Sequence, residues 1–442
     1  MKTPIVDFLN QYSSSGYIRL HMPGHKGVGE IERKDITEIL GADSLFDADG
    51  IIGESERYTG ELFGAYSFYS TEGSSLSIRA MLHLSCLYGK EKGNEPLILA
   101  GRNAHKSFIS AAALIGFSVE WLYSAEKSYL SCKVTPEELD QKISLMTKKP
   151  AAVYITSPDY LGNVSDIQGL SVVCKKHGVL LLVDNAHGAY LKFLDHSRHP
   201  IDLGADMCSD SAHKTLHALT GAGYLHISKN APILFRDNAK SAMALFASTS
   251  PSYLILSSLD KLNDILRNGY REKLSKKIKT VDVFKKDLSD IGFTVLDSEP
   301  LKITVYAKPY GYTGDELSSI LYKNNIAPEF SDSDHLVLMP SSDTDDSELN
   351  ILLSVLKAIP RRSPLISPAP SLTPPLRLLL PRDAVFSPSE EIDVENALGR
   401  ILAAVTVSCP PAVPILVSGE QISAEAIYAF KYYGIKKIKV IK

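Results

Sequence analysis

Three short stretches of this 442-residue chain are almost wholly apolar: Leu97-Ile-Leu-Ala100, Ala151-Ala-Val-Tyr-Ile-Thr156 and Val179-Leu-Leu-Leu-Val-Asp184. Each is bounded by Gly, Pro, Asn or Asp. A strand with one wet face alternates apolar and polar residues, whereas a strand apolar throughout is covered on both faces. Helical patterns lie between the runs, at Leu76 to Leu87 and at Leu170 to His177, the second closed by Gly178. Buried strands alternating with helices predict a doubly wound α/β fold with a mostly parallel sheet.

The pattern divides the chain. Residues 1–45 read as an N-terminal arm that opens with a short amphipathic stretch at Thr3-Pro4 and contains the turn-rich His21-Met-Pro-Gly-His-Lys-Gly27. Residues 46–255 carry the α/β pattern. Residues 256–360 predict a smaller α+β domain, with a helix over 256–265 and strands at 302–306 and 335–339. Seven prolines between Arg361 and Pro388 exclude a helix interior, so 361–388 reads as an extended linker. Residues 389–442 form a small C-terminal unit, for which the spacing predicts a helix over 387–405 and a solvated, Lys-rich terminal strand.

Composition excludes several classes. The formal net charge is −4, from 47 basic and 51 acidic residues, so no nucleic-acid partner is expected. No apolar run approaches the roughly 18 residues that span a bilayer, and Met1 to Tyr17 lacks the apolar core of a signal peptide. No membrane partner is expected. The five cysteines, at 86, 132, 174, 208 and 409, include no C-x-x-C pair. That argues against a disulfide framework and for a reducing, cytoplasmic home.

Four local patterns carry chemistry. In Ser209-Asp-Ser-Ala-His-Lys214, a lysine sits among small and hydroxylic residues, and lysine is the side chain that forms an imine with an aldehyde cofactor. Ser211 and His213 beside it can donate to a phosphate. By itself Lys214 also reads as a surface lysine. Asp184 ends an apolar strand at the edge where open α/β sheets place ligands, and a carboxylate there can pair with a protonated pyridine nitrogen. By itself it also reads as a turn or capping aspartate. Asp184 and Lys214 are thirty residues apart, about one β-α-β repeat. Thr71-Glu-Gly73-Ser74-Ser75 offers a glycine, hydroxyls and a helix start, which together cradle an anion. In Asn103-Ala-His105-Lys-Ser107, His105 lies just past a strand end, where an imidazole can stack on a planar ring. His187, His196 and His199 match no metal-binding spacing, and no metal is expected.

Together these motifs resemble the fold-type-I pyridoxal-phosphate enzymes, and among them the ornithine/lysine/arginine decarboxylase family. The resemblance is carried by His21-Met-Pro-Gly-His-Lys26, Gly73-Ser-Ser75, Arg102-Asn-Ala-His105-Lys-Ser107, Asp184-Asn-Ala-His187-Gly188 and Ser211-Ala-His213-Lys214. Ser248-Thr-Ser-Pro-Ser-Tyr253, Cys409-Pro-Pro and Ser418-Gly-Glu420 extend it in family order across most of the chain. It implies an aspartate-aminotransferase-like large domain, a smaller α+β domain and a C-terminal decarboxylase-type unit. It implies that Lys214 holds pyridoxal 5'-phosphate as an imine, that Asp184 pairs with the pyridine nitrogen and that His105 stacks on the ring. Gly73, Ser74, Ser75, Ser211 and His213 would bind the phosphate, and His187 would sit beside Asp184. Thr249 and Ser250 would reach the neighbouring subunit's site in a homodimer with shared active sites. Glu420 would lie near the substrate entrance. The implied activity is decarboxylation of a basic amino acid, arginine first, then lysine or ornithine.

The sequence departs from the family in three places. No glutamine follows Lys214 within Lys214-Thr-Leu-His-Ala-Leu-Thr-Gly221-Ala-Gly223, Glu72 stands where asparagine is more usual, and the receiver-like N-terminal domain of the large members is absent. These departures leave two alternatives open: aminotransfer or carbon–carbon lyase action on the same cofactor, and a catalytically idle binding protein.

Overall fold

The computed structural model describes residues 2–409 and 413–442. Its large sheet contains β1 (Ala65–Ser70), β2 (Leu97–Gly101), β3 (Ser118–Leu122), β4 (Ala152–Thr156), β5 (Leu180–Asp184), β6 (Met207–Asp210) and β7 (Gly223–Ser228). They lie in the order β1-β7-β6-β5-β4-β2-β3. β5 and β6 are parallel, as are β2 and β3, while β7 runs antiparallel to both β1 and β6. The three apolar runs are β2, β4 and β5. Every residue of β2 and β5 is buried, and only Thr156 of β4 is partly open. Full burial on both faces is why these strands carry no polar alternation.

Two compact units arise. The first comprises Met1–Glu95, Lys149–Tyr154 and Ile167–Leu274. It contains helices α1 (Pro4–Ser14), α2 (Ile51–Phe63), α3 (Gly73–Glu91), α4 (Ala212–Thr215) and α5 (Tyr253–Arg267). α1 starts with Pro4 in its first turn, where the missing N–H costs nothing. Its backbone N–H groups at Ile5 and Val6 donate to Asp260 Oδ2 of α5, at 2.9 and 3.0 Å. Asp260 Oδ1 accepts from Ser55 of α2 at 2.6 Å. One buried carboxylate therefore joins three helices.

The second unit comprises Pro96–Lys148, Ile155–Asp166 and Ser275–Lys442. A four-stranded antiparallel sheet is built from 294–295, 303–306, 330–331 and 335–338. The Pro-rich stretch holds no regular element before the short helix Pro381–Val385. The helix expected over 387–405 does not form. Ser389–Asp393 is instead a strand paired antiparallel with Lys437–Ile441, followed by a single 3₁₀ turn at Val394–Asn396. The pairing supplies backbone partners and lets Val394, Ala397 and Leu402 join a core with Ile415, Phe430 and Val440. A helix-like spacing of apolar residues loses to that tertiary partner. Lys437–Ile441 itself alternates exposed lysines with buried Ile438 and Val440, as a one-sided terminal strand should. The Cys409-Pro-Pro motif falls at the edge of the described residues: the Cys409 side chain and Pro410-Pro411 lie outside them.

Candidate active site

β5 delivers Asp184 to the carboxyl edge of the sheet. Its side chain is buried. Tyr154 of β4 donates its hydroxyl to Asp184 Oδ2 at 3.0 Å, and the Ala186 N–H donates to Oδ1 at 3.2 Å. Burial raises the Asp184 carboxyl above its ordinary range, opposed by the charge of Lys214 and by these two donors. Burial and the neighbouring Asp184 push the Tyr154 phenol well up, so it stays a neutral donor. A buried carboxylate of this kind is best satisfied by a cation.

The next strand delivers the lysine. β6 ends at Asp210, Ser211 is the N-cap of α4, and Lys214 lies within that single turn. Its Nζ lies 3.1 Å from His187 Nε2. His187 is buried on the turn that follows β5, closed by the Gly188 N–H donating to Asn185 O at 2.8 Å. The Lys214 side chain is exposed in the single chain. Asp184, His187 and Lys214 therefore converge, as the thirty-residue spacing predicted.

The cradle is built from the start of α3. Gly73 has φ +66°, a left-handed conformation that glycine adopts without strain. Its N–H donates to Gly221 O at 2.7 Å. A Cβ on Gly223 would meet Gly73 carbonyl carbon at 2.8 Å and Asp210 O at 3.0 Å, so β6, β7 and the first turn of α3 approach to backbone contact only because Gly223 has no side chain. Ser74 and Ser75 occupy that first turn half-buried, and Ser209 Oγ donates to Ser74 O at 3.2 Å. α3 has no side-chain cap from Glu72. Across the cradle, Ser211 Oγ is buried and has no hydrogen-bond partner among the described residues. The His213 ring lies against Gly73, its Cε1 3.6 Å from where a Gly73 Cβ would be. His213 Nδ1 donates to Ala222 O at 2.8 Å, which leaves Nε2 for another partner. Burial and then the charge of Lys214 lower its pKa, against the Ala222 hydrogen bond that raises it.

Thr249 and Ser250 lie exposed on the loop before α5. Glu72 orders that loop: its Oε1 accepts the Ser248 N–H at 2.7 Å. The unusual Glu72 thus has a partner within the first unit. His105 belongs to the second unit, where it is the N-cap of the helix Lys106–Ala111. Its Nδ1 accepts from the Ser107 N–H at 3.2 Å and lies 2.9 Å from Ser107 Oγ. That leaves the ring proton of the neutral form on Nε2 and fixes the ring plane.

Glu420 departs from expectation. Instead of standing at an entrance it is 1% exposed and pairs at 2.9 Å with the equally buried Arg102, whose guanidinium also donates to Pro414 O and Ile415 O. The Val417 N–H donates to Glu420 Oε2 at 2.8 Å. Burial raises its carboxyl and Arg102 opposes the shift. Both residues belong to motifs that carry the family resemblance, and the fold joins them to each other. Tyr154 went unassigned in the sequence, although it interrupts an otherwise aliphatic run.

The site fits pyridoxal phosphate by its own chemistry: an amine held against an imidazole, a buried carboxylate one strand away, an orphaned serine hydroxyl and a helix start opened by glycine. The Orn/Lys/Arg decarboxylase major-domain family model matches residues 3–304, and that family's C-terminal-domain model matches 381–437.

The chain belongs to the Orn/Lys/Arg decarboxylase family.

It is a pyridoxal-phosphate-dependent decarboxylase of fold type I. It is 27% identical over 470 residues to an arginine decarboxylase of Bacillus subtilis, covering 97% of this chain and 93% of the relative. An uncharacterised protein of the same organism, YaaO, is 29% identical over 466 residues, with the same coverage of each chain. The lysine decarboxylase LdcF of Francisella novicida superposes with a TM-score of 0.82 at 19% identity, over 100% of this chain and 81% of that one.

Proposed function

We propose that this decarboxylase acts on arginine, releasing carbon dioxide and agmatine, with lysine and ornithine as the next substrates. Support comes from four relatives named arginine decarboxylase, each 26–27% identical over 95–97% of this chain. The observation that carries the site reading is the 3.1 Å contact between Lys214 Nζ and His187 Nε2 beside buried Asp184.

In this reading Lys214 carries the cofactor covalently. When bound, pyridoxal phosphate supplies the electron sink that accepts the pair left by the departing carboxylate. His187 takes a proton from the Lys214 ammonium, which frees the amine for attachment. Asp184 holds the proton on the pyridine nitrogen, and Tyr154 keeps the carboxylate aimed. Ser74, Ser75, Ser211 and His213, with the cradle at Gly73, bind the phosphate. A dianion beside His213 Nε2 favours the protonated imidazole, which makes that nitrogen a donor. His105 stacks on the ring. Lys214 or His187 returns a proton to the substrate α-carbon. Thr249 and Ser250 reach the site of a second copy in a homodimer.

A panel of arginine, lysine and ornithine with carbon dioxide detection and product analysis tests the assignment. Agmatine as the leading product supports it. A keto acid product means aminotransfer, and no product from any of them leaves the idle-protein reading.

A further inference from the structure

Beneath the strand that delivers Lys214 lies a second set of reactive side chains, which the decarboxylation chemistry does not use. Cys208 and Asp210 are two residues apart on β6 and so share one face of the sheet. Cys208 is registered against His226 of β7, which puts His226 on that same face. His199 arrives from the segment covering this face. The side chains of His199, Cys208, Asp210 and His226 are all 0% exposed.

The donor atoms of His199, Cys208 and Asp210 all lie within 4.8 Å of one another, and His226 approaches this group through Asp210. His199 Nε2 is 3.0 Å from Asp210 Oδ2, and His226 Nε2 is 3.5 Å from the same oxygen. Cys208 Sγ is 3.9 Å from His199 Nε2 and 3.9 Å from Asp210 Oδ1. Tetrahedral zinc with ordinary Zn–N, Zn–O and Zn–S bonds sets its ligand atoms about 3.3–3.6 Å apart. The observed separations bracket that range. His226 Nε2 is wholly buried and faces Asp210 Oδ2 at a distance too long for a good hydrogen bond. Its other nitrogen, Nδ1, is 2.7 Å from Ser67 Oγ, the outer-shell contact that orients a metal-bound imidazole. Asn185 Nδ2 holds Asp210 Oδ1 at 2.7 Å in the same way.

We propose that His199, Cys208, Asp210 and His226 form a structural site for a zinc-like divalent cation. Two neutral imidazoles, one thiolate and one carboxylate bring two negative charges, which balance a dication in a buried space. Four protein donors leave no open position, so the site ties β6, β7 and the His199 segment together rather than performing chemistry. Binding releases the Cys208 proton. The proton on His199 Nε2 moves to Nδ1, which has no hydrogen-bond partner among the described residues. The site depends on neither the substrate assignment nor the cofactor roles.

The test is elemental analysis of the holoenzyme, purified from zinc-supplemented cells and freed of loose metal by gel filtration, followed by cobalt replacement. The expected result is stoichiometric zinc. The cobalt form should show thiolate-to-cobalt charge transfer and visible d–d bands at longer wavelength than the cofactor absorbs. Cys208→Ser should lose the charge-transfer band and His199→Gln should lose the metal, while each retains bound cofactor. Metal-free wild-type protein overturns the proposal. So does a cobalt spectrum unchanged in Cys208→Ser, which places the metal elsewhere. Should either variant misfold, the wild-type protein decides: bound cobalt without a thiolate band also overturns it.

Discussion

In the proposed reading Lys214 and Asp184 serve the cofactor by direct contact, and each has a distinct expected loss. Lys214→Ala should abolish the borohydride-sensitive yellow chromophore of the purified protein. An unchanged chromophore in that variant would mean that another lysine carries the cofactor. Asp184→Asn removes the charge while preserving shape, and turnover should fall by about 10²–10³-fold, the scale of losing one preorganised electrostatic partner. Tyr154→Phe removes one donor to the Asp184 carboxylate at 3.0 Å and should cost about 10–100-fold, since a hydrogen bond to a charged group contributes about 1.5–3 kcal/mol. Glu420 separates stability from catalysis. Its partner Arg102 is buried, so Glu420→Ala leaves an uncompensated charge and should destabilise the fold by about 3–5 kcal/mol. KM for the substrate should stay within a few-fold. A KM effect without a stability effect would return Glu420 to the substrate entrance.

At the scale of elements, two junctions make testable demands. The first turn of α3 meets β6 and β7 across Gly223, and an added methyl there strikes backbone rather than a movable side chain. Gly223→Ala should therefore weaken retention of the cofactor, measured as its dissociation constant from the resting protein. An unchanged constant would show that the cradle relaxes freely. The other junction is the clamp of Asp260 on α1. Burial raises its pKa to about 6, against hydrogen bonds from Ser55, Val6 and Ile5, with Asp7 adding to the rise. A carboxyl raised on folding binds its proton more tightly in the native state. Its stabilising contribution is complete below the unfolded value near 3.8 and is lost as pH rises through about 6. The full span is about 3 kcal/mol at 1.36 kcal/mol per pK unit. Asp260→Asn should flatten that part of the stability profile, so the difference in thermal midpoint between variant and wild type should change between pH 4 and 7. A constant difference across that window would mean that Asp260 does not titrate there.

For the whole molecule, the single chain leaves apolar groups in water. Ile18 is 87%, Leu20 90% and Leu40 102% exposed, and Lys214, Thr249 and Ser250 are open as well. Large apolar side chains left this open are candidates for burial against a second copy, which is the physical support for the proposed homodimer. Sedimentation equilibrium should give the mass of two chains, and Leu20→Glu with Leu40→Glu should shift it toward one. A two-chain mass that survives both changes would put the interface elsewhere. No described helix is long and apolar enough to cross a membrane.

What the sequence determined by itself was local. β2, β4 and β5 could be read directly because burial on both faces removes every polar residue. Gly73 and the serines after it marked a helix start, because only certain residues suit that backbone. The repeat spacing from Asp184 to Lys214 put both at one sheet edge, because parallel strands return in register. Only the tertiary structure decided what depends on meeting a distant partner. Residues 389–393 became a strand because 437–441 lies beside them. Glu420 became one half of a buried ion pair because Arg102, 318 positions earlier, reaches it. Cys208 and Asp210 came to face His226 through strand register, and His199 through the covering segment. The free energy of such pairings belongs to two places in the chain at once, so neither place records it alone.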